Sequence, residues 1–79
     1  MADSLDSFKL KIFDSYLTDT GSSYEGFLEE KKLTGADEAT INNEKIKIID
    51  EAIEIMGKDE LFKNYLSEGD FKAFKAAGL

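Results

Sequence analysis

Residues 41–56 read Ile41-Asn42-Asn43-Glu44-Lys45-Ile46-Lys47-Ile48-Ile49-Asp50-Glu51-Ala52-Ile53-Glu54-Ile55-Met56, and this stretch decides the fold. Placed at helical spacing, Ile41, Ile46, Ile48, Ile49, Ala52, Ile53, Ile55 and Met56 fill about half the circumference, while Asn43, Glu44, Lys47, Asp50, Glu51 and Glu54 fill the rest. That pattern predicts a helix with one wet face. One neighbour does not cover an apolar arc so wide, so shorter helices are expected to pack on both sides of it. A strand pair is the rival, because Lys45-Ile46-Lys47-Ile48 alternates and Asn42-Asn43 suits a turn. The adjacent Ile48-Ile49 and the 3–4 spacing through Met56 favour the helix, which Gly57 ends.

Working outward, Asp3 or Ser4 caps a first helix running to about Leu17 or Thr18. It carries Leu5, Phe8, Ile12 and Tyr16 on one stripe and Leu10, Phe13 and Leu17 on another. Thr18 to Ser22 is a turn by composition. Ser22 with Glu25 forms a capping box, which predicts a second helix over about 23–33 ending at Gly35, with Tyr24, Phe27, Leu28 and Leu33 buried. Gly26 there either permits close helix contact or marks a weak first turn. Residues 34–40 are read either as a loop or as opening turns of the central helix. Lys58 or Asp59 opens a fourth helix carrying Leu61, Phe62, Tyr65 and Leu66, and Asp70 caps a last turn with Phe71 and Phe74 that finishes at Gly78. The expectation is an all-α fold: one domain over 1–79, a compact bundle of four to five short helices around the central helix at about 41–56.

Composition excludes more than it assigns. The hydrophobic fraction of 42%, with six phenylalanines and three tyrosines, is too apolar for a disordered chain despite the charge. With neither cysteine nor histidine, the usual zinc and copper ligands are missing, and any metal would be a hard cation on carboxylates. No D-x-D-x-D-G loop is present to hold calcium, so no metal and no cofactor are expected. Net charge is −7 and every cation is a lysine, which disfavours direct nucleic-acid binding. Residues 1–30 hold seven acids and two lysines, making that third the acidic end. The acidic, polar start is unlike a secretory signal, and no run is long enough to span a bilayer, so a soluble cytoplasmic protein is expected.

Three short motifs have structural explanations. Asp19-Thr20-Gly21 resembles the Asp-Thr-Gly signature of aspartic proteases, where two such loops in β-lobes share a proton, whereas here one triplet follows a helix and reads as a polar turn. Asp3-Ser4-Leu5 resembles the Asp-Ser-Leu motif of acyl carrier proteins, a likeness that would make Ser4 the modified residue. In that family the serine opens the second helix, and Ser4 precedes the first, where it serves as a cap. Lys58-Asp59-Glu60-Leu61 spells an endoplasmic-reticulum retention signal, which is read only at a free C-terminus, so internally it is a helix start.

Without His, Cys or Arg, catalysis has few candidates, and the chain is expected not to be an enzyme. Elimination leaves a non-enzymatic protein that binds another protein as an adaptor, inhibitor or assembly subunit. The lack of Arg beside abundant Lys and Ile suggests an A+T-rich genome, which suits a small accessory protein of a bacterium or its phage. The expected contact is apolar, through Phe71, Phe74 and Leu79 on the C-terminal turn. The alternative is an acidic decoy that mimics DNA phosphates through Asp3, Asp6, Asp14, Asp19, Glu25, Glu29 and Glu30.

Overall fold

The computed structural model describes residues 4–79. Five helices follow one another: α1 (Leu5–Asp19), α2 (Tyr24–Glu30), α3 (Glu38–Met56), α4 (Lys58–Tyr65) and α5 (Glu68–Ala76), with no strand among the described residues. The all-α architecture matches the expectation, and Lys45 to Ile48 is helical.

Serine and aspartate set most of the helix starts by accepting an otherwise orphaned N–H. Ser4 Oγ accepts from Ser7 N at 3.1 Å, and Asp37 Oδ1 accepts from Thr40 N at 3.0 Å. Asp37 therefore divides residues 34–40 into a loop and the first residues of α3. Two expected caps move. Ser23, one residue beyond Ser22, caps α2 through Gly26 N at 3.0 Å, and Ser67 caps α5 through Asp70 N at 3.2 Å. Asp70 thus lies inside the first turn of α5, and Gly26 lies inside that of α2. A Cβ at Gly26 would stand 3.0 Å from the capping Ser23 Oγ, so its smallness protects the cap and not a helix contact.

α2 ends earlier than the expected Gly35. Leu33 is buried, and the chain leaves the helix to seat it: Leu33 N donates to Leu28 O at 2.7 Å and Lys32 N to Glu29 O at 3.2 Å, which is the Schellman pattern. Lys32 consequently holds the left-handed conformation, φ 57°, that α1 gives to Gly21 at its own end.

The core brings together Phe8, Ile12, Phe13 and Leu17 of α1, Phe27 of α2, Leu33, Ile49 and Ala52 of α3, Leu61 and Phe62 of α4, and Phe74 of α5. α1 packs against α3 and α4, α3 packs against α4, and α5 closes on α4. Phe74 enters edge-on to Phe8 at 5.6 Å between ring centres and tilted on Phe62 at 4.7 Å. Phe27 meets Phe13 edge-on at 4.9 Å. Such ring pairs add to the transfer free energy of the buried area.

Burial on α3 is narrower than its pattern. Ile49 and Ala52 are buried, Ile41, Ile48 and Ile53 are half-buried against the core, and Ile55 and Met56 are exposed. Tyr24, expected inside, is exposed as well. Lys9 is the buried cation: its ammonium is held by Asp50 of α3 and by Asp6, the latter at 3.3 Å.

Candidate interaction surface

The C-terminal end of α3 presents Ile55, which the described residues leave largely uncovered. Ile41, Ile48 and Ile55 recur every seven residues, so at about 100° per residue they drift only about 20° per step and share one flank. Ile41 and Ile48 lean on the core, whereas Ile55 is 86% exposed and Met56 beside it 42%. The cause lies in the next turn. Gly57, at φ 93°, turns the chain with no intervening loop, and α4 packs on α3 with Leu61 and Phe62 buried. α2 has only seven residues, and its one fully seated ring, Phe27, is occupied with Phe13.

Between α2 and this flank runs a groove of about 380 Å³. Tyr16, Leu17, Phe27 and Ile48 contribute apolar lining, and Glu30, Lys31 and Glu51 line it as well. A second depression of about 370 Å³ lies on the other side of Ser22 and Ser23, bounded by Asp14, Tyr24 and Lys45. There Lys45 Nζ sits 5.2 Å from the Tyr24 ring centre and 5.4 Å from that of Phe13, so the cation that alternates with isoleucine in the sequence packs on aromatic faces. A third, of about 310 Å³, is bordered by Lys58, Asp59 and Lys75, with Lys75 paired to Asp59 at 3.4 Å.

The C-terminal aromatics stand differently from their reading as a contact surface. Phe74 is fully buried, because α5 folds back so that its ring fills the space between Phe8 and Phe62. That takes Phe74 off the surface. Phe71 stacks on Phe74 at 5.9 Å and, like Leu79, is half-buried at the core's edge.

Asp6 and Asp19 do not share one row on α1. Asp6 is drawn to Lys9, and Asp19 accepts a 2.6 Å hydrogen bond from the Tyr65 hydroxyl. These two aspartates stand about 140° apart around α1. Asp14, Glu25, Glu29 and Glu30 are exposed. Asp3 lies outside the described residues.

Among the described residues three groups have shifted proton affinity, and each shift has a structural partner. Burial works against the charge on Lys9, but the carboxylates of Asp50 and Asp6 outweigh it and hold the ammonium above its ordinary value. The hydroxyl and N–H of Thr40 lower Asp37. Tyr65 is raised by its hydrogen bond to Asp19. Among the described residues no three acids converge as a metal site, and no helix is long and apolar enough to cross a membrane. No protein-family model, curated protein or solved structure matches the chain.

The sequence placed Ile55 and Met56 in the buried arc. The signal that Ile55 is left outside is Gly57 followed at once by a helix start, because so short a link brings α4 against the side of α3 that carries Met56, which accepts from Asn64.

Proposed function

We propose that this chain is a non-enzymatic protein of the cytoplasm that acts by binding another protein, with the outer flank of α3 as its contact. One observation carries the reading: Ile55 is 86% exposed at the end of a stripe whose other members pack on the core. A single exposed apolar residue is ordinary, but Ile55 continues the half-exposed stripe of Ile41 and Ile48, and a continuous apolar strip at the surface supports a contact. The residue chemistry supports the same reading. Histidine, cysteine and arginine are absent, and Lys9, Asp37 and Tyr65 are each engaged by a neighbour that accounts for the perturbation.

The test is co-purification of the tagged chain and its Ile55→Asp variant from the native host. A protein retained by the parent and lost from the variant, with both chains equally helical by circular dichroism, is the expected result. Equal retention by both would remove the α3 flank from the contact.

A further inference from the structure

Taking the α3 flank as the contact proposed above, we infer that its occupant is a basic amphipathic helix, laid along Ile41, Ile48 and Ile55 with one edge at the groove beside Glu30 of α2. The argument begins with the available modes of peptide recognition. No strand exists among the described residues, so there is no sheet edge on which an extended peptide gains main-chain hydrogen bonds. What the surface offers is a stripe with a seven-residue repeat, about 21 Å from Ile41 to Ile55. That is the spacing at which a helix presents its own apolar residues.

Charge then selects the helix. Glu44 and Glu51 lie beside the isoleucines along one edge of α3, and Glu30 of α2 lines the groove with Glu51. Lys31 also lines the groove, and Lys47 is already paired with Glu44 at 3.2 Å. Around these groups the chain carries −7 overall. A second copy suits the site poorly. In an antiparallel pair centred on Ile48, Ile41 of one copy meets Ile55 of the other, but the same geometry sets Glu44 of one beside Glu51 of the other, and both copies are acidic. A helix with lysine or arginine flanking its apolar stripe meets the isoleucines and the carboxylates together.

Two synthetic peptides of about 15 residues, long enough to span the stripe, test this. They share one leucine stripe at i, i+3, i+4 and i+7; one carries lysine elsewhere and the other glutamate. Each is titrated into the ¹⁵N-labelled full chain and followed by its amide resonances. The lysine peptide is expected to bind saturably, shifting Phe27, Glu30, Ile48, Glu51 and Ile55. Ile55→Asp should weaken it by about tenfold or more. The double variant Glu44→Lys, Glu51→Lys should reverse the preference toward the glutamate peptide, whereas Glu25→Gln with Glu29→Gln, on the far side of α2 from Phe27, should change affinity by less than about twofold.

Shifts centred on Phe71 and Leu79, affinity indifferent to Ile55→Asp, equal binding of both peptides, or no saturable binding up to about 1 mM would each overturn the inference. A partner still lost from Ile55→Asp in the co-purification would then leave the wider reading standing, with an occupant of different chemistry.

Discussion

α1 and α3 each carry an apolar face wider than a single stripe, yet they bury those faces to different depths. α1 places Phe8, Ile12, Phe13, Leu17 and the stem of Lys9 inside. α3, four residues longer, fully buries only Ile49 and Ala52. The difference is one of company. α1 is met by Phe27 from α2, Ile49 and Ala52 from α3, Leu61 and Phe62 from α4 and Phe74 from α5, so rings reach it from several directions. α3 has α1 and α4 against one side, and Gly57 spends no residues on a loop that would carry α4 further round. Apolar width on a helix therefore measures what the side chains favour, while burial measures what the rest of the chain can reach.

The contrast breaks most readily at Phe8. Phe8→Ala removes a ring that touches Phe74 and should cost about 3–5 kcal/mol, a large part of the roughly 0.05–0.15 kcal/mol per residue that a native domain holds. Thermal melts should show a largely unfolded population. Ile49→Ala, the deepest site on α3, falls in the range of about 2–5 kcal/mol. Ile53→Ala, half-buried, should cost only about 1 kcal/mol, near half of full side-chain burial. Should Ile53→Ala melt as low as Phe8→Ala, α3 is buried more deeply than described.

A smaller effect ties the two helices together through Lys9 and Asp50. Lys9 is raised in the folded state, and so is Tyr65 through Asp19 of α1. For groups raised on folding, the stabilisation is complete below the unfolded values and is lost as pH climbs through the folded ones. Melting temperatures should therefore fall from about pH 10 upward. Lys9→Met and Tyr65→Phe should each flatten that alkaline limb in melts between about pH 8 and 11. A limb unchanged in both variants would assign the loss to other groups.

The smallest effect is the most telling about the surface. Ile55→Asp should shift stability by under about 0.5 kcal/mol, as exposed substitutions do, in a helix whose composition promises burial. Denaturant melts of this variant, set beside Ile49→Ala, measure the asymmetry within α3 directly.

Much of this was legible from the residues. Ser4 ahead of Leu5, Phe8 and Ile12 is a cap followed by a stripe, and both stand as read. The half-cylinder from Ile41 separates helix from strand because adjacent isoleucines and 3–4 spacing have no place in a period of two. Caps were harder to place where candidates adjoin: Ser22 and Ser23 offer the same oxygen, and only the path of the backbone chooses between them. Asp50 reads as part of a solvated face, yet Lys9 approaches it from a helix more than thirty residues upstream, and no local pattern records that pairing. Burial at Phe74 and Ile55 was misread for the same reason. Phe74 and Ile55 are both large apolar residues near helix ends, and whether a neighbour arrives is a tertiary fact.

The ring of Phe74 between Phe8 and Phe62 also sets an order of events. Sixty-six positions separate the first and last of these rings along the chain, so the core is closed by one of its most distant contacts. Until α5 is clear of the ribosome, the space between Phe8 and Phe62 lacks the ring that fills it. Nascent chains stalled so that α5 is still within the exit tunnel should stay sensitive to protease, and a few more residues of extension should make them resistant. The N-terminal helix, although made first, gains its full shelter among the last.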